Sequence, residues 1–183
     1  MAFQHEPASP AVLVRQAMDL YESSLIAYAT SILGGDEERA RDVVQDTLLK
    51  LYLADPQRVS ENLKAWLYAV CRNRALDVLR KEHRLVLADD DDRGDWLDEL
   101  QPEPPHDPER DEMLEQIWHN AEQLPKNQKE VLRLKFLHDL SYKDIATATN
   151  LSVTNVGFLL HTAVKRLRKM MSQTLQEEAS HQP

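Results

Sequence analysis

"SYKDIATATNLSVTNVGFLLHTAVKRLRKMM", residues 141–171, contains two helix starts and one helix stop. Ser141 with Asp144 three residues on resembles a capping box, with Asp in place of Glu. It opens a short helical run, "YKDIATAT". Asn150 tolerates the left-handed conformation that ends a helix. Ser152 is a second N-cap, and a longer helix follows to about Met171. Val156, Leu160, Ala163 and Leu167 recur along it at helical spacing and form the core stripe. A short helix, a brief turn and a longer second helix make a helix-turn-helix.

Upstream, "LPKNQKEVLRLKFLHDL" places Pro125 at a first-turn position, where its missing N–H costs nothing. This C-terminal unit spans about residues 113–172. Before it lies a stretch of different character. Residues 89–112 hold twelve acidic side chains against Arg93 and Arg110, a net −10 inside a chain of net −9. The remainder is therefore close to neutral, and the overall acidity belongs to one segment. Pro102, Pro104, Pro105 and Pro108 fall in the same stretch. Proline at that density breaks helices, and like charges extend the chain. Residues 86–112 read as a linker, either a spacer without contacts or a segment that docks through Trp96 and Leu97.

The N-terminal unit, residues 10–85, reads as three or four helices. The first carries Val12, Leu13, Ala17, Leu20, Leu25, Tyr28, Ile32 and Leu33, and Gly34 with Gly35 stops it. Asp36 caps a second helix with the stripe Ala40, Val43, Val44, Thr47, Leu48 and Leu51. A non-helical stretch, "ADPQRVS", leads to a third helix from about Ser60 to Arg84. Its core stripe is Leu63, Leu67, Val70, Cys71, Ala75 and Val78. The fold class is all-α, two small helical domains joined by an acidic, Pro-rich linker. Only 4 Gly in 183 residues and 42% hydrophobic content suit that reading. No apolar run approaches the roughly 20 residues that span a bilayer, so membrane insertion is not expected. The N-terminus lacks the basic-then-apolar order of a signal peptide, and the single Cys71 rules out an internal disulfide framework. A cytoplasmic location follows as the expectation. The His residues stand at no ligand spacing, so neither a metal nor a cofactor is expected.

Two polar faces carry the chemistry. On the third helix Trp66, Asn73, Asp77, Arg80 and Arg84 lie within about 60° of one another. An aromatic that stacks on an unpaired base, an amide that reads a base edge and cations that neutralise phosphates suit nucleic acid. The plainer alternative has Trp66 packed on a neighbouring helix and the bases solvated. On the second helix Asp42, Gln45 and Asp46 are neighbours on one surface. They form a docking patch for a basic partner helix or ordinary solvated surface. A catalytic carboxylate pair is not expected, because nothing nearby supplies a nucleophile, a metal or a positioned His.

Read in order, "ARDVVQDTLLKLY", "NLKAWLYAVCRNRALDVLRKEHR", the acidic linker and "LPKNQKEVLRLKFLHDLSYKDIA" resemble the extracytoplasmic-function (ECF) group of bacterial RNA polymerase sigma factors. The resemblance covers about residues 12–170. It implies core RNA polymerase and promoter DNA as partners, together with an anti-sigma or other regulatory protein, and no enzymatic activity. Asp42, Gln45 and Asp46 match the patch that docks on the β′ clamp helices, and the β subunit is implied as a further contact. Trp66, Asn73, Arg80 and Arg84 match the surface at the promoter element near about −10, where one base is flipped from the stack. Residues 54–62 match the loop that pockets that base. The linker matches a segment that threads the basic channels of the polymerase. In the helix-turn-helix, Thr154, Asn155, Phe158, His161 and Lys165 match the positions that meet upstream DNA, with Arg166 and Arg168 as further polar candidates. There the chain departs from the family. Gly157, Phe158, Leu159 and Thr162 stand where basic or hydroxyl residues are common. Phe158 is expected to be exposed, meeting thymine methyls or a protein partner. Two rival readings lie outside the resemblance: a stand-alone helix-turn-helix regulator, and a helical adaptor without DNA contact.

Overall fold

The computed structural model describes the backbone of residues 9–86 and 108–180, and the side chains of residues 9–82 and 113–173. All regular structure among them is helical: α1 (Pro10–Ile32), α2 (Glu37–Leu53), α3 (Pro56–Ser60), α4 (Leu63–Val86), α5 (Pro108–Glu122), α6 (Lys126–Phe136), α7 (Tyr142–Thr149) and α8 (Val153–Ser180). The chain forms two compact units; α1–α4 lie in one and the body of α5–α8 in the other.

Local chemistry sets the ends of these helices. Ser9 caps α1, with Pro10 in its first turn. The helix stops where Gly34 turns left-handed at φ 65° and the Gly35 N–H reaches back to Thr30 O at 3.0 Å, a Schellman closure. Asp36 then accepts the Arg39 N–H at 2.9 Å and opens α2. Backbone hydrogen bonding and the adjacent Arg39 guanidinium hold the Asp36 carboxyl below the usual range, partly offset by desolvation. In the second unit Asn150, at φ 58°, plays the part of Gly34, and Leu151 N–H donates to Ala146 O at 3.1 Å.

In the first unit α1, α2 and α4 pack pairwise. All six residues of the expected α2 stripe are buried. Thr47, the one polar member, donates its hydroxyl to Val43 O at 2.8 Å, so its burial leaves no donor unpaired. From α1 come Leu13, Ala17, Leu25 and Tyr28; from α4 come Ala65, Leu67, Tyr68, Cys71 and Ala75. The Tyr28 and Tyr68 rings lie 5.3 Å apart and tilted by 49°, within the favourable range for aromatic pairs. Four details differ from the sequence reading. Leu63, Val70 and Val78 are only half-buried, Val12 and Leu20 are exposed, and Tyr68 belongs to the core. The stretch "ADPQRVS" is not wholly irregular: Asp55 caps the five-residue α3, with Pro56 in its first turn and Val59 buried.

In the second unit Ala121, Leu124, Leu132, Ala163 and Leu167 pack together, with Trp118, Val164 and Met170 partly buried around them. The expected α8 stripe of Val156, Leu160, Ala163 and Leu167 is buried throughout. Glu122 binds both Lys129 (2.7 Å) and Arg133 (2.5 Å), tying α5 to α6. Pro125 is the N-cap of α6, one place before the expected position. The helix α5 starts at Pro108, ahead of the expected start of helical structure near Met113, and α8 runs on to Ser180. Residues 87–107, most of the expected linker, lie outside the described residues.

Candidate nucleic-acid interface and docking face

The α2 helix buries one side completely and leaves the other open. Asp42 and Gln45 are exposed, and Asp46 is half-buried. Asp46 is not a free carboxylate: Arg74 of α4 donates Nε–H to its Oδ2 at 2.6 Å. That pairing spans two helices, so no local sequence signal announced it. The same side of α2 continues into Leu49, Tyr52 and Leu53, at 58%, 53% and 74% exposure. Helical geometry places these six residues within about 120° of one another. The face is thus polar in its first half and apolar in its second. The apolar half was missed in the sequence, where its only signal is three large apolar residues lying off the core stripe.

On α4 the expected line is partly assembled. Trp66 is half-buried, neither sealed in the core nor fully open to solvent. Asn62 caps the helix by accepting the Ala65 N–H at 3.2 Å, which fixes the start of the helix one turn before Trp66. Asn73 is exposed two turns further on. Arg80 is exposed but forms an ion pair with Asp77 at 2.9 Å, which offsets part of its charge. The side chain of Arg84 lies outside the described residues. Arg58 on α3, with its side chain 88% exposed, adds a cation the sequence reading did not single out.

On α8 Thr154, Asn155, Phe158, His161 and Lys165 are all exposed. Helical geometry brings Thr154, Phe158, His161 and Lys165 within about 60°, whereas Asn155 sits on the flank. Phe158 is 66% exposed. Thr162 spends its hydroxyl on Phe158 O at 2.9 Å, and Arg166 donates to Gln128 of α6 at 3.3 Å. The Thr162 hydroxyl is thus engaged within its own helix and Arg166, though exposed, is tied to α6, while Lys165, Arg168 and Lys169 are further exposed cations. Among the described residues no group of His, Cys, Asp and Glu is arranged to hold a metal, and no helix is long and apolar enough to cross a membrane.

Comparison with known proteins defines the class. Residues 18–85 match the model of sigma-70 region 2, and residues 114–167 match sigma-70 region 4. These are the two domains with which a sigma factor joins RNA polymerase to a promoter. The relatives narrow the class. The chain is 31% identical to the ECF RNA polymerase sigma factor SigL of Mycobacterium tuberculosis, with 93% of each chain covered. It is 32% identical to EcfG of Rhodopseudomonas palustris, covering 81% of this chain and 79% of that one. It is 29% identical to SigM of Bacillus subtilis, covering 78% and 86%. In fold it is similar to the sigma factor RpoE crystallised with the anti-sigma factor NepR from Bartonella quintana. That match has a TM-score of 0.64 at 24% identity and covers 86% of this chain and 96% of that one. The chain belongs to the ECF RNA polymerase sigma factors. It binds core RNA polymerase and directs promoter recognition for transcription initiation. The region 2 match sets aside both the stand-alone regulator and the adaptor without DNA contact. Sigma factors act as initiation factors and not as enzymes.

Proposed function

We propose that the two units divide the work of initiation between the faces just described. The exposed side of α2 docks on the β′ clamp helices. Asp42 and Gln45 orient a basic partner helix, and Leu49, Tyr52 and Leu53 supply apolar burial. Asp46 holds Arg74 and so braces the face from behind. The α3–α4 region, with Trp66, Asn73, Arg80 and Arg84, meets the downstream promoter element and stacks against the opened strand. The exposed side of α8 meets the upstream element, with the linker between them passing along the polymerase and its β subunit. The protein works in the cytoplasm, has no catalytic residue, and is restrained by a regulatory protein. One structurally similar sigma factor, RpoE, was solved with the anti-sigma factor NepR, and CnrH, also similar in fold, was solved with the cytosolic domain of CnrY.

The observation that carries this reading is the contrast on α2. Its inner stripe is wholly buried, while its outer face sets two exposed polar residues beside three exposed large apolar ones. Apolar residues grouped on an exposed face mark an interaction surface. The experiment is Asp42→Arg, which reverses charge at an exposed position and leaves the Asp46–Arg74 pair intact. Its co-elution with core polymerase should fall sharply at unchanged helicity. Undiminished co-elution would place docking elsewhere.

A further inference from the structure

Between Asp144 and Glu177 the chain carries no acidic side chain, although its net charge is −9. The greater part of α8 falls in that interval, and its bases are gathered at one end of it. Residues 153–164 hold no Lys or Arg, whereas residues 165–169 hold Lys165, Arg166, Arg168 and Lys169. Phe158, 66% exposed, stands almost opposite the buried stripe and within about 40° of Lys165 and Lys169. The second helix of a helix-turn-helix lies in the major groove with its N-terminal residues at the base edges. On α8 the part that would meet bases is thus free of Lys and Arg, and the part beyond it is cationic.

That division decides which bases the helix can recognise. Arg and Lys make the commonest specific contact, to guanine O6 and N7, and the first three turns of α8 have neither. They offer Thr154, Asn155, Phe158 and His161, all exposed. The Thr162 hydroxyl is bonded to Phe158 O at 2.9 Å, and His161 stands toward α7, where it shares a cleft with Tyr142. Phe158 has no donor or acceptor to give. The apolar group that a base presents in the major groove is the thymine C5 methyl, which Phe and the Thr methyl both suit. Thr154 lies one turn before Phe158, and helical side chains lean toward the N-terminus, so the two share one patch. Asn155, about 60° from Phe158, has the amide that pairs with adenine N6 and N7. The exposed lysines that continue the line from Phe158 match a polyanion, which favours DNA over a protein as the occupant of this face. We propose that α8 reads thymine and adenine in place of guanine. Phe158 and Thr154 receive a thymine methyl, Asn155 pairs with an adenine edge, and Lys165 and Lys169 hold phosphates. The inference rests on the reading of α8 as the upstream DNA face and names the bases that face selects.

The test uses the full chain assembled with core polymerase. The holoenzyme first selects its preferred duplexes from a random-sequence pool. Each thymine of a selected upstream element is then replaced by deoxyuridine, which removes the C5 methyl and leaves the base pairing intact. At one thymine the replacement should weaken wild-type binding about fourfold, the factor expected for one methyl-sized apolar contact. Phe158→Ala should bind the thymine and deoxyuridine duplexes equally. Asn155→Ala should lose a preference for adenine worth about tenfold in the wild type. Lys165→Ala/Lys169→Ala should weaken binding to all selected duplexes alike and lower the salt slope by about 2. Selection of guanine by the wild type, or tolerance of deoxyuridine at every thymine, would overturn the thymine reading. A lysine variant that still loses affinity and salt slope would then keep α8 as the DNA face. If the lysine variant also binds as the wild type does, both readings fall. A Phe158→Ala variant that keeps the wild-type response to deoxyuridine would overturn the proposal and give the ring to a protein partner.

Discussion

Single side chains divide into those that stabilise the core and those that face outward, and Cys71 and Trp66 show the two cases. Cys71 is fully buried, and burial pushes its thiol up from 9.0 to about 12, while a hydrogen bond with Thr47 works the other way. Tyr68 is shifted upward for the same first reason. The folded thiol thus stays protonated where the unfolded one ionises. Its contribution to stability is complete below about pH 9 and is lost as pH rises from there towards 12. Between pH 8 and pH 10.5 the wild type should lose about 2 kcal/mol more than Cys71→Ala, measured by urea unfolding. The same thiol should resist alkylation until the protein unfolds. Trp66 is half-exposed, and its removal should tell stacking from packing. Trp66→Ala should reduce open-complex formation on duplex promoters well beyond its effect on templates with a pre-opened bubble, because extruding a base costs a few kcal/mol that stacking offsets. Equal losses on both templates, with a lowered melting temperature, would mark the ring as structural.

At the scale of helices and turns, two left-handed stops do equivalent work with different residues. Gly34 closes α1 and Asn150 closes α7, each followed by the same reach-back hydrogen bond. Asn150→Gly should leave thermal stability almost unchanged, whereas Asn150→Ala should cost about 1 kcal/mol, read as a drop in melting temperature. Ser141→Ala removes half of a capping box and should cost a similar amount in the same assay. These elements were legible in the sequence because their causes are local. A cap, a stop and a period of 3.6 lie within a few residues of each other, so α2, α7 and their neighbours could be placed almost to the residue. What escaped depends on other elements. Tyr68 reads as one more aromatic beside Trp66 until Tyr28 of α1 is known to lie against it. Asp46 reads as a free carboxylate until Arg74 is brought across from α4. The apolar half of the α2 face could not be separated from core residues by composition alone. Arg80 was legible as a cation, but its pairing with Asp77 reduces the charge it can offer to a phosphate.

For the molecule as a whole, each unit owns a closed set of buried residues: one around Tyr28, Tyr68 and Cys71, the other around Leu124, Leu132 and Leu167. Fragments 1–86 and 105–183 should therefore each be helical and melt cooperatively when made separately. A fragment that stays unfolded alone would mean that its core is incomplete. The open side of α2 carries a further cost. Leu49, Tyr52 and Leu53 remain wet whenever no partner covers them. A solution of the isolated factor should then be colloidally poor, scattering more light as it is concentrated and leaving the supernatant on storage. Leu53→Glu should cure that behaviour and in the same step weaken capture by polymerase. On the proposed docking reading, the exposed face that would make the protein awkward in a test tube is the one by which it finds its enzyme.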